Sequence, residues 1–251
     1  MNTYSVLQNF KKEKHFFNEP YPHIVIENCL PLKTFEMLYE NFPVQTVKDN
    51  FKIVDNHTYR GLANDFIGSK RVEAKQCWID FFQYHTSQEF YNEVLTIFNE
   101  TRWIKDEKVK VRHTEGDAKI VTDTQFVIHQ PTTGTTRSTH IDNPLEIYAG
   151  LLYMRQRGDN ASGGDFIIYD SPKIDKVVAK TGREIPEDVE KIEHKKIIYK
   201  ENTFVMFLNT NKSVHGVTPR KNALHDRLSI NIIAEVEKKV GPLFNLTEIV
   251  Q

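Results

Sequence analysis

Thr139-His140-Ile141-Asp142-Asn143-Pro144 decides how the rest of the chain is read. His140 and Asp142 stand two apart. In extended backbone the side chains at i and i+2 share a face, so an imidazole and a carboxylate project into one space. Two histidines and one carboxylate on one side of an ion form a facial triad, which holds non-haem iron(II) and leaves the opposite positions open. The third member is taken to be His215, in Ser213-Val214-His215-Gly216-Val217-Thr218-Pro219. Arg227 follows twelve residues later, heading Arg227-Leu228-Ser229-Ile230-Asn231-Ile232-Ile233. That apolar run reads as a buried strand with a guanidinium at its mouth.

The pair alone proves nothing. With 10 His and 34 acids in the chain, about one His-x-Asp/Glu arises by chance. His113-Thr114-Glu115 also fits, but it runs into the turn Gly116-Asp117, and its distant candidate partner His194 is followed only by lysines. The set His140, Asp142, His215 and Arg227 is the complete one.

Over roughly Gln125 to Glu237 this constellation resembles the iron(II)- and 2-oxoglutarate-dependent dioxygenases. Within them it looks most like the prolyl-hydroxylase-like branch, where Asn-Pro can follow the His-x-Asp. The resemblance implies Fe(II) held by His140, Asp142 and His215, with 2-oxoglutarate and O2 as co-substrates and ascorbate in support. It implies that Arg227 receives the far carboxylate of 2-oxoglutarate, since a planar guanidinium pairs bidentately with a carboxylate. Ser229 and Tyr153 are candidates beside it, and Gln125 a further one. Asn143 and Arg137 are candidates for contact with substrate. The implied reaction is hydroxylation of an unactivated C–H bond, of a prolyl residue or an amino-acid-like substrate, with release of succinate and CO2. The carboxylate of Asp142 favours hydroxylation over halogenation, because halogenases of this type carry a small residue there. An AlkB-type nucleic-acid demethylase is an alternative, but such enzymes carry a second Arg six residues after the first, where this chain has Ile233. A non-enzymatic cupin-like metal-binding module is another, and it would have no use for Arg227.

The bulk properties bound these readings. A chain of 251 residues can bury one good core. We expect a single domain over 1–251, with mostly helical support in 1–120, a jelly-roll core in 121–238 and a tail in 239–251. A formal net charge of -1 argues against a general polyanion binder, so the expected partner is a small-molecule or peptidyl substrate rather than nucleic acid. Cys29 and Cys77 lack metal-type spacing, which fits reduced thiols in a cytoplasmic compartment. Met1-Asn2-Thr3-Tyr4-Ser5 lacks the charged start and apolar core of a signal peptide. No run approaches the ~18 apolar residues of a membrane span.

Along the chain, Lys11, Lys12 and Lys14 mark a solvated arm, and Pro20-Tyr21-Pro22 forces an extended entry. His23 to Glu27 reads as a strand. Asn28 is the expected cap of a following helix, with Pro31 in its first turn and Leu32, Phe35, Leu38 and Tyr39 on one face. Residues 44–73 read as loops at the substrate entrance. A helix from Ala74 to Tyr84 buries Trp78, Phe81 and Phe82. Thr86 to Glu89 fits a capping box for a second helix that buries Phe90, Tyr91, Val94, Leu95 and Phe98. From Val109 the period shifts toward 2. Strands are expected near Val109–Arg112, Gln125–His129, Ile147–Met154, Phe166–Tyr169, Lys196–Tyr199, Thr203–Leu208 and Arg227–Val236. Residues 171–193 form a charged insertion with a short helix after Pro186. About seven or eight short strands with turns between them imply a sandwich or barrel. With the ligand spacing, the fold class is mainly β with supporting helices (α+β), on a double-stranded β-helix (jelly roll, cupin-like) core.

Overall fold

The computed structural model describes residues 4–54, 57–99, 107–131, 137–171, 176–178 and 183–249. The chain opens with a single helical turn, α1 (Lys12–His15), and the strands β1 (Phe16–Phe17) and β2 (His23–Glu27). Helices α2 (Leu32–Glu40) and α3 (Val44–Asn50), the hairpin β3 (Ile53–Val54) and β4 (Thr58–Leu62), and a π-helical turn at Asn64–Gly68 follow. Helices α4 (Gln76–His85) and α5 (Gln88–Phe98) complete the helical part. Then come β5 (Val109–Val111), β6 (Ile120–His129), β7 (Glu146–Tyr153), β8 (Phe166–Asp170), β9 (Lys176–Val178), β10 (Ile192–Ile197), β11 (Thr203–Leu208), β12 (His215–Val217), β13 (Arg227–Val236) and β14 (Thr247–Ile249).

The large sheet runs β1-β2-β11-β7-β13-β6-β4-β3, with β5 pairing parallel to β6. At its centre β13 pairs antiparallel along its whole length with β6, from Arg227 opposite His129 to Val236 opposite Ile120, and on its other edge with β7. A smaller sheet, β10-β8-β12, faces it, and β14 pairs parallel with β9. This is the expected mainly β, jelly-roll arrangement; the two sheets do not close into a barrel.

Alternation along the central strands separates two environments. Leu228, Ile230, Ile232 and Ala234 of β13 and Phe126 and Ile128 of β6 face the helices and join Phe35, Leu38, Trp78, Phe81, Phe82, Phe90 and Val94 in one core. Phe126 sits among Trp78, Phe82, Phe42 and Phe66, with ring centroids 4.7–5.2 Å away. The opposite face of the large sheet, through Ala149, Tyr153, Val205 and Phe207, packs on Phe166, Ile168 and Ile197 of the small sheet. Among the described residues no helix is long and apolar enough to cross a membrane.

Several local expectations are corrected. Asn28 does not cap α2; it lies at φ 51, and Pro31 holds the N-cap position. The cap of α5 is Ser87, whose side chain accepts from Phe90 N, because the Thr86 hydroxyl is turned back to Phe82 O at 2.8 Å. Residues 44–73 are not loops: β4 is a strand of the large sheet, paired with β6. No helix follows Pro186; Val189 N bonds Pro186 O in a turn, and β10 begins at Ile192 rather than Lys196. Parts of the 171–193 insertion and of the loop after Pro131 lie outside the described residues.

Candidate active site

His140 lies in an isolated bridge rather than a strand. Its backbone N–H donates to His215 O at 2.8 Å, and His215 N–H donates back to His140 O at 3.1 Å. The bridge puts both imidazoles on one side, ring centroids 4.2 Å apart, and Asp142 turns toward them. His140 Nε2 is 3.4 Å from Asp142 Oδ1 and His215 Nε2 is 3.5 Å from Asp142 Oδ2. One ligand atom from each of the three lies within 4.8 Å of the others. The structure thus brings together the three residues singled out by spacing.

Each ring has its other nitrogen committed. His140 Nδ1 is 2.7 Å from Ser138 O, and His215 Nδ1 is 2.8 Å from Ser213 O. A carbonyl only accepts, so both Nδ1 atoms carry the proton and both Nε2 lone pairs face the common centre. This is how metal-binding imidazoles are oriented. His215 is packed on Phe166 and Phe207 at 5.1 and 4.6 Å. Burial, with His140 adding, lowers its pKa to about 4, so it stays neutral. Burial alone would raise the Asp142 carboxyl; His215, His140 and Arg137 outweigh it and hold the carboxyl well below the usual range. Two imidazole Nε2 atoms turned to a common centre and an ionised carboxylate fit a borderline divalent cation such as iron(II).

The triad opens on a cavity of about 400 Å³ between the sheets. Arg227, Ser229, Asn231 and Ile233 line it from β13, Gln125, Val127 and His129 from β6, and Thr58, Arg60 and Leu62 from β4. Arg227 is only 2 % exposed. Its Nε donates to Gly164 O at 3.2 Å, and its guanidinium lies 5.1 and 4.7 Å from the Tyr153 and Tyr199 rings. Gly163 and Gly164 make this turn possible through positive φ values of 78 and 81. Arg220 packs on Gly164 and is tied to Asp159 at 2.9 Å.

Arg227 Nη2, the Tyr153 hydroxyl and the Ser229 hydroxyl are all buried with no hydrogen-bond partner. Ser229 and Tyr153 face each other across β13 and β7. Burial pushes the Tyr153 phenol up despite the Arg227 charge, so it remains a neutral donor. Orphaned buried donors cost roughly 1–3 kcal/mol each. Arg227 and Ser229 line the cavity and Tyr153 has its ring 5.1 Å from the guanidinium, so a carboxylate received there would meet unpaired donors, and these residues fit 2-oxoglutarate.

The remaining sequence candidates separate. Arg137 lines the cavity. Asn143 is not among the lining residues: its Oδ1 accepts from Leu145 N at 3.2 Å and closes the turn before β7. Gln125 lines the cavity but is engaged by Arg60 and Asp123. Glu146, Arg112 and Arg183 also line it and were missed by sequence reading. Burial raises the Glu146 carboxyl well above its ordinary value, with Asp142 and Glu235 adding. Its one sequence signal is position, at the mouth of the strand that follows the ligand pair.

A family model described as the 2OG-Fe(II) oxygenase superfamily matches residues 124–234, the segment that carries the triad and Arg227. No curated protein matches the chain. Among solved structures, a prolyl 4-hydroxylase from Phytophthora capsici superposes with TM-score 0.50 at 15% identity, over 86% of this chain and 59% of that one. The chain therefore spans less than two thirds of that relative. A Pseudomonas putida prolyl-4-hydroxylase superposes with TM-score 0.50 at 13% identity, over 86% of this chain and 92% of that one. These two likenesses concern the fold. The match and the triad within it lead to one conclusion: residues 124–234 carry the features of the 2OG-Fe(II) oxygenase superfamily, whose cofactors are iron(II), 2-oxoglutarate and dioxygen.

Proposed function

We propose that the protein is a hydroxylase that couples conversion of 2-oxoglutarate to succinate and CO2 with hydroxylation of an unactivated C–H bond in a small-molecule or peptidyl substrate. Residues 1–251 act as one unit in this reading. His140, Asp142 and His215 hold iron(II) through two Nε2 atoms and a carboxylate. Arg227 anchors the far carboxylate of 2-oxoglutarate, with Tyr153 and Ser229 donating to it. When bound, the iron with its co-substrates supplies the oxidising chemistry. The chain contributes orientation, a water-poor cavity and fixed charges. Arg227 is fixed by Gly164 O and two tyrosine rings, so it has little side-chain freedom left to lose on binding.

The observation that carries this reading is that two unsatisfied buried donors, Arg227 Nη2 and the Ser229 hydroxyl, line the cavity that the triad opens into, with the unpartnered Tyr153 hydroxyl on the residue opposite Ser229. A metal-binding module without 2-oxoglutarate would leave that cost uncompensated. Ile233 lines the cavity where a demethylase would carry its second arginine. The test is anaerobic addition of iron(II) and 2-oxoglutarate, read by the weak visible charge-transfer band, followed by succinate release in air against a panel of proline peptides, free amino acids and nucleic acids. Absence of the band, or turnover stimulated only by methylated nucleic acid, would refute it.

A further inference from the structure

The part of the cavity away from Arg227 is lined by the ionisable side chains Arg112, Glu146 and Arg183, and two of these have no ion-pair partner among the described residues. Arg112 is spoken for: it reaches Asp123 at 3.3 Å and Glu235 at 3.0 Å. Glu146 is not. Glu146 lines the cavity, stands opposite Glu235 across β7 and β13, and forms no ion pair or side-chain hydrogen bond among the described residues. Arg183 lines the same cavity, its Nε buried and without a hydrogen-bond partner. The two are close enough to influence each other electrostatically, yet they do not close into a salt bridge among the described residues. An acid and a guanidinium that face one space without joining leave room for a ligand that carries both complementary charges. Leaving such groups bare in a low-dielectric cavity is costly, and a paired ligand relieves it.

We propose that this end of the cavity binds a small zwitterion of the α-amino-acid type, its ammonium group received by Glu146 and its carboxylate by Arg183. A peptidyl residue lacks both charges at its backbone and would leave both side chains unmatched. The cavity volume of about 400 Å³ suits a small co-substrate and a compact substrate together. This inference rests on the hydroxylase reading and narrows its substrate.

The experiment uses the full chain with iron(II) and 2-oxoglutarate under anaerobic conditions. The standard L-amino acids are added singly, then the N-acetyl and methyl ester derivatives of the tightest binder, and binding is read by calorimetry and by perturbation of the charge-transfer band. We expect at least one free amino acid to bind, with each derivative weakened tenfold or more. In Glu146→Gln and Arg183→Gln the band should persist while amino-acid affinity falls about tenfold to hundredfold. Arg183→Lys should recover part of the loss. If the wild-type protein shows no band, the hydroxylase reading falls and this inference with it. If the band forms but no free amino acid binds, or blocked derivatives or proline peptides bind as well, the zwitterion site alone is refuted. Unchanged affinity in both variants refutes it equally.

Discussion

Replacement of Arg227 by methionine tests the co-substrate site in both directions. The guanidinium is 2 % exposed and its Nη2 has no partner, so the unliganded protein carries a poorly compensated buried charge. An apolar side chain of similar length removes that burden, and exchanges of this kind are often neutral or stabilising by roughly 1–4 kcal/mol. Without ligand, Arg227→Met should therefore melt at or above the wild-type temperature. With ligand the order reverses. A carboxylate buried against a missing partner costs about 3–5 kcal/mol, which is roughly 150- to 4,000-fold in Kd at about 1.4 kcal/mol per decade. Arg227→Lys keeps a point charge but loses the fork, and should cost about 1.5–3 kcal/mol, or ~10- to 150-fold. The assay is anaerobic titration with 2-oxoglutarate and, in parallel, with 2-oxovalerate, which has a methyl in place of the far carboxylate. Wild type should discriminate between them by the full factor, and Arg227→Met should barely discriminate. If Arg227→Met retains preference for 2-oxoglutarate beyond tenfold, the carboxylate is anchored elsewhere and the assignment is wrong.

Other substitutions probe the scaffold. His215→Ala should abolish tight iron(II) binding in a metal titration while circular dichroism stays unchanged, because the strand pairing of β12 with β8 uses only backbone. Gly163→Ala places a Cβ 2.0 Å from Pro219 O at φ +78, and should cost about 2–4 kcal/mol in urea unfolding with weakened 2-oxoglutarate affinity, since the neighbouring Gly164 O holds Arg227. His85 is buried in the helical core, where burial lowers its pKa to about 3. The unfolded chain binds a proton near pH 6.5 that the folded protein refuses, so stability is present above that pH and declines as pH falls. This histidine accounts for about 1.4 kcal/mol per pH unit between roughly 6 and 3, and His85→Gln should show a correspondingly shallower loss of urea midpoint from pH 7.5 to 5.

Much of this architecture was legible because burial and periodicity coincided. In β13 Leu228, Ile230, Ile232 and Ala234 face the helices, and the interleaved Arg227, Ser229 and Asn231 face the cavity, so the run announced both a strand and a site. The aromatic faces of α4 and α5 were equally clear. β4 was invisible for the converse reason. Thr58, Arg60 and Leu62 line a polar cavity, and Gly61 on the other face presses on Phe66, so no apolar alternation survives. β10 is mostly exposed along Ile192 to Lys196, which removes the same signal. The capping box failed by one residue because the Thr86 hydroxyl has a closer acceptor in the turn behind it. Glu146, Arg183 and Arg112 could not be found from spacing, since their importance comes from long-range convergence onto one cavity.

The reciprocal peptide hydrogen bonds between His140 and His215 have a chemical consequence. They fix the main chain at both positions whether or not a ring is attached. Removing the His215 side chain should then leave an imidazole-shaped slot between the faces of Phe166 and Phe207, with Ser213 O still in place to accept a proton donor. Free imidazole soaked into His215→Gly should occupy that slot and restore iron(II) binding, whereas a ligand position shaped only by side-chain packing would collapse and resist rescue.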